Sequence, residues 1–149
     1  MKKLIIPAVF ALMGSAAFAQ DACKVTVDGD DAMKFHSDKI VIKKADCPEF
    51  EVTINHVGKL PKAAMGHNIV ITKAADTQAV ATDGIAAGLD KEYVKPDDER
   101  VIAHTKVIGG GEKDSVTFKT DALEVGGDYD FFCSFPGHYA IMKGKVVVE

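Results

Sequence analysis

Eight short stretches of the chain alternate apolar with polar side chains, or run together β-branched and aromatic ones: 24–27, 39–43, 51–55, 68–72, 101–105, 115–119, 129–132 and 145–148. A period of two places successive side chains on opposite faces, so each stretch reads as a strand burying one face. Turn formers separate them, among them Asp28-Gly29-Asp30, Val57-Gly58, Gly109-Gly110-Gly111 and Gly126-Gly127-Asp128. Many short strands spaced in this way predict an all-β sandwich or barrel. The rhythm breaks over residues 74–96, where Asp76 precedes an alanine-rich segment and Pro96 follows it. That segment is predicted to be a short helix inserted between strands, with Asp76 as N-cap and Pro96 closing it.

The N-terminus stands apart from this pattern. Lys2-Lys3, the apolar run from Leu4 to Met13 and Ala17-Phe18-Ala19 together read as a signal peptide over residues 1–19, cleaved after Ala19. The apolar run is well short of the roughly 18 to 20 residues that span a bilayer. The expected mature chain, residues 20–149, suits a single domain with one core. Without Lys2 and Lys3 it carries 16 basic against 22 acidic side chains. A net charge of this sign argues against nucleic acid or an anionic membrane as partner.

Export alters the meaning of the three cysteines. An oxidising compartment favours pairing and leaves an odd thiol in need of a role. If Cys23 and Cys47 pair, Cys133 is the odd one. It opens the densest chemistry in the chain, Cys133-Ser134-Phe135-Pro136-Gly137-His138-Tyr139-Ala140-Ile141-Met142, just before the last strand. This Cys-x4-His-x3-Met run offers a thiolate, an imidazole and a thioether on one loop, and with a second imidazole it matches an electron-transfer copper site. His67, in Met65-Gly66-His67-Asn68, is the candidate for that imidazole, with Gly66 allowing close backbone approach. Zinc accepts the same Cys and His ligands. An oxidase or nitrite reductase needs further histidine-rich copper centres, and five histidines are too few for them. His36, His56 and His104 have no ligand partners in the sequence.

Leu60-Pro61-Lys62, Met65-Gly66-His67-Asn68, Lys95-Pro96-Asp97-Asp98, Ile102-Ala103-His104-Thr105, residues 111–118 and the C-terminal loop make the chain resemble the azurins over essentially all of its mature length. The Cys-to-His spacing is also similar to theirs, being longer than that of plastocyanin or amicyanin. The resemblance implies a cupredoxin-like, eight-stranded Greek-key β-sandwich with a helical flap. It further implies one copper per chain, cycling between Cu(I) and Cu(II), in a plane of His67, Cys133 and His138, with Met142 and the Gly66 carbonyl as weak axial neighbours. On the same ground Cys23 and Cys47 form a disulfide, and Asn68 and Ser134 brace the loops around the metal.

The function implied is that of a soluble periplasmic carrier of single electrons rather than an enzyme. Its partners would be redox proteins such as c-type cytochromes or periplasmic reductases, docking briefly. They would dock where His138 meets the surface, among Met33, Leu60, Ala64, Met65, Ile85, Phe135, Pro136, Gly137, Ala140 and Ile141. Gln20-Asp21-Ala22 ahead of Cys23 does not resemble a lipidation box, so no membrane anchor is expected. Three departures from azurins stand out: Ile69 where some bury a tryptophan, Val57 after His56 where some have proline, and Tyr139, expected to face solvent beside His138.

Overall fold

Along Glu49–His56 every second side chain, from Phe50 through Val52 and Ile54 to His56, is buried, and the residues between them are partly exposed. The strict period of two makes this segment a strand with one face on a core. It is β3 of eight in the computed structural model, which describes residues 22–149; the expected signal segment lies outside the described residues. The others are β1 (Lys24–Gly29), β2 (Lys39–Ile42), β4 (Val70–Lys73), β5 (Val101–His104), β6 (Lys113–Lys119), β7 (Tyr129–Phe132) and β8 (Lys143–Val148). They form two sheets, β1-β3-β6 and β2-β8-β7-β4-β5. The β1–β3 and β2–β8 pairs are parallel and the rest antiparallel.

The sheets enclose one main core that includes Ile40, Ile42, Phe50, Val52, Ile54, Ile69, Ile71, Phe131, Val146 and Val148. Ile69, the position noted for tryptophan in some azurins, is fully buried there. Strands β4 and β7 are covered on both faces: of their residues only Lys73 is exposed. Ile71 and Phe131 point into the sandwich, while the register partners Val70 and Phe132 point outward and pack with Val80, Ala81 and Val94. Tyr139 is half-buried against this outer cluster rather than facing solvent, because its apolar ring finds an uncovered edge of the patch.

The inserted segment is a 3₁₀ turn (Ala74–Asp76), helix α2 (Thr77–Ala87) and a second 3₁₀ turn (Leu89–Lys91). Asp76 holds the N-cap position, but its side chain makes no capping bond, since the preceding turn already leads into the helix. Gly88, at φ 79°, ends α2 well before Pro96. One further helical turn, α1 (Lys62–Met65), was not foreseen; four residues are too few to show a helical period. No helix of the described residues is long and apolar enough to cross a membrane.

Candidate metal centre

The register of β4 against β7 builds the site. Val70 pairs with Phe132, so the residues just before β4 and just after β7 meet at one end of the sheet. His67 and Cys133, 66 positions apart in sequence, thereby become neighbours. Two backbone bonds with Ile108, of 3.0 and 2.9 Å, hold the His67 peptide in place. Space demands glycine at position 66: a Cβ there would come within 2.5 Å of a Val107 methyl and 3.0 Å of the Phe135 ring.

Residues 133–142 form the loop from β7 to β8, closed at its base by the Cys133 N–H donating to the Met142 carbonyl at 3.0 Å. Within it the His138 N–H donates to the Phe135 carbonyl at 3.0 Å, with Pro136 and Gly137 between them and Gly137 at φ 83°. Proline then glycine with positive φ is the chemistry of a type II turn, and this one returns His138 toward Cys133. The Met142 N–H donates to the His138 carbonyl at 2.8 Å, which winds the end of the loop inward.

The result is a buried group of three donors, His67, Cys133 and His138, whose ligand atoms all lie within 4.8 Å of one another. Cys133 Sγ is 3.6 Å from His138 Nδ1 and 3.9 Å from His67 Nδ1. An ion in a trigonal plane, with bonds of about 2.3 Å to sulfur and 2.0 Å to nitrogen, requires a sulfur-to-nitrogen separation of about 3.7 Å. The donors are therefore spaced for a metal ion. The Gly66 carbonyl oxygen lies 3.8 Å from the sulfur. Met142 is fully buried, and a side chain at Gly29 would come within 3.1 Å of the His67 ring and 3.5 Å of the Met142 methyl, so thioether and imidazole flank the same glycine.

Electrostatics favour neutral donors in the metal-free chain. Burial pushes the Cys133 thiol up to about 12, opposed by the backbone N–H groups of Asn68 and Phe135 directed at the sulfur. Burial, then the neighbouring His67, pushes His138 down to about 4. Burial also lowers His67, against the raising effect of its bond to the Asp30 carbonyl. That bond, 2.7 Å from Nε2, puts the proton on Nε2 and leaves the Nδ1 lone pair facing the sulfur.

Asn68 and Ser134 clasp the two ligand loops together. The Ser134 N–H donates to Asn68 Oδ1 at 2.8 Å and Asn68 Nδ2 donates to Ser134 Oγ at 2.8 Å. Both side chains also donate to the Glu92 carbonyl, at 3.1 and 3.3 Å. Glu92 and Asp30 were not singled out in the sequence: each acts on the loops through a backbone carbonyl, which leaves no mark on residue type. Glu92 does have an unusual backbone, at φ 58° and followed by Tyr93 at φ 51°. Its carboxylate accepts from the Val107 N–H at 2.5 Å, tying this left-handed pair to the residue before Ile108, which bridges His67.

The remaining candidates are placed as follows. Cys23 and Cys47 are disulfide-bonded, and Cys133 is the free thiol. The ten expected patch residues are all exposed or half-buried, with Leu60 at 41%, Ile85 at 49% and Ile141 at 64%. His138 itself keeps only 3% of its surface exposed, and the Phe135 ring packs on it at 4.7 Å between centroids. His56 is buried, stacked on His67 at 4.3 Å; its Nε2–H donates to the Met65 carbonyl and its Nδ1 accepts from the Gly58 N–H. Its nitrogens are thus committed away from the metal position. His36 pairs with Asp30, and His104 Nδ1 donates to the Thr105 carbonyl.

Comparison with known proteins agrees with this geometry. Residues 21–149 match the model of the copper binding proteins, plastocyanin/azurin family. The chain is 60% identical to azurin of Alcaligenes faecalis over 125 residues, covering 84% of this chain and 97% of that one. It is 50% identical to azurin of Pseudomonas aeruginosa over 149 residues, covering 100% and 99%. Among solved structures, the azurin Az-iso2 of the methylotroph Methylomonas sp. strain J aligns with a TM-score of 0.82 at 46% identity, covering 85% of this chain and 98% of that one. The two-sheet fold, the buried His-Cys-His cluster and these matches together place the chain in the plastocyanin/azurin family of copper-binding proteins.

Proposed function

We propose that the chain carries single electrons in the periplasm through one copper ion held by His67, Cys133 and His138, with Met142 and the Gly66 carbonyl as weak axial neighbours. The observation that carries this reading is the convergence of two imidazole Nδ1 atoms on one buried cysteine sulfur, at 3.6 and 3.9 Å. Copper bound there supplies a one-electron couple, a role that a soft thiolate with imidazoles and a weak thioether suits.

The work of the chain is to hold these donors still. Each ligand loop is tied to the sheets and to the other loop by hydrogen bonds, so little rearrangement opposes gain or loss of an electron. The N–H groups of Asn68 and Phe135 spread the negative charge of the sulfur. Burial of all three donors keeps bulk water off them. Phe135 packs on the His138 ring, and the exposed apolar residues Leu60, Ile85 and Ile141 suit brief, weakly charged docking with redox partners such as c-type cytochromes or periplasmic reductases.

Copper loading tests the reading. The Cu(II) protein should absorb intensely in the visible through thiolate-to-copper charge transfer and bleach on one-electron reduction. Cys133→Ser should abolish the band; a blue variant would overturn the ligand assignment. A protein that takes up only colourless zinc would overturn electron carriage. Met65→Lys should slow electron self-exchange several-fold without changing the spectrum, and an unchanged rate would refute docking at this patch.

A further inference from the structure

The far side of the His67 ring is held by a short loop closed by a side-chain pair. His67 Nε2–H donates to the Asp30 carbonyl at 2.7 Å. Each remaining polar atom of Asp30 is also engaged. Its N–H donates to the Lys34 carbonyl at 3.1 Å. Oδ1 accepts from the Ala32 N–H at 2.9 Å, and Oδ2 meets His36 Nε2 at 2.7 Å. The His36 N–H donates to the Asp28 carbonyl at 2.9 Å, and Gly29 bridges Phe35, so His36 is itself anchored to β1. Met33 turns the loop at φ 54°. One residue thus presents a backbone oxygen to His67 while its side chain fixes both ends of the loop supplying that oxygen.

We infer that the Asp30–His36 pair is a positioning device for His67, fixing the acceptor that orients the imidazole and thereby tuning the metal it binds. A hydrogen bond to the distal nitrogen of a ligating imidazole sets ring orientation and donor strength, and partners of this kind matter nearly as much as the ligands. His36 side-chain atoms are 46% exposed, so substitution there opens no cavity in the core. The inference rests on His67 being a copper ligand.

The test compares wild type, His36→Ala and His36→Gln as copper-loaded proteins. Glutamine keeps a donor that reaches Asp30 Oδ2, and alanine does not. In the reduced, ¹⁵N-labelled protein, solvent exchange of the His67 Nε2 proton should quicken about tenfold in His36→Ala and return most of the way in His36→Gln. The electron-transfer equilibrium of His36→Ala against a fixed one-electron partner should change at least twofold, about 18 mV for a one-electron couple. Thermal melting should change little, which separates positioning from general support. A blue, stable His36→Ala with wild-type exchange and potential would overturn this inference and leave the copper reading intact. A wild-type protein that binds no copper would defeat both.

Discussion

A buried thiol and two imidazoles kept neutral by desolvation oppose charge in the metal-free chain, and two predictions follow at the scale of the residue. His138, at about 4 when folded against an ordinary 6.5, takes its proton more readily in the unfolded chain. Its contribution is therefore fully present above pH 6.5 and is lost as pH falls toward 4, at most about 3 kcal/mol. Urea melts of the metal-free protein at pH 7 and 4.5 should show that loss, and the copper-loaded protein should show less of it. With Cys133 at about 12, one ion taken up at pH 7 should release about one proton, read by an indicator dye in weak buffer. No release would mean that the sulfur was already a thiolate. Asn68→Ala should cost about 1 to 3 kcal/mol by stranding the buried Ser134 N–H. Donor types were legible in the sequence because cysteine, histidine and methionine declare their chemistry. Asp30 and Glu92 are not, since each meets the ligand loops through a carbonyl that any residue carries, and which groups their carboxylates reach is set by the fold.

At the scale of the element, all eight strands are legible, most from period-two patterning and the rest from β-branched and aromatic runs, with ends shifted by a residue or two. Strands β4 and β7 need the turn signals around them, because burial on both faces, which takes in Thr72 and Asp130, leaves no period of two. The sequence marks the flap as helix with its end at Pro96, whereas Gly88 stops α2 first by adopting positive φ. Gly84 shows why the flap closes as it does. A Cβ at that position would collide with the Tyr93 carbonyl, so the helix and the chain beyond it touch backbone to backbone. Gly84→Ala should lower the urea midpoint by an amount equal to about 1 to 3 kcal/mol, the usual cost of overpacking. An unchanged midpoint would show that the flap shifts freely.

Across the whole molecule, the copper end and the disulfide should contribute separately. The Cys23–Cys47 link closes a loop of separation 24 and joins the starts of β1 and β3. Loop entropy assigns it about 3.5 kcal/mol. Replacing both cysteines with alanine should cost that order in urea melts while leaving the blue band in place; a lost band would mean the two ends are coupled. By itself the sequence determined the strand count, the inserted helix and two members of the buried donor cluster, Cys133 and His138, because patterning and a ten-residue loop are local properties. Only the tertiary structure decided that His67 faces Cys133, that Tyr139 turns inward and that Asp30 and Glu92 hold the ligand loops. Hydrophobic alternation fixes which face of a strand is buried, whereas the neighbour that strand pairs with, and in what register, is set by packing of the whole core.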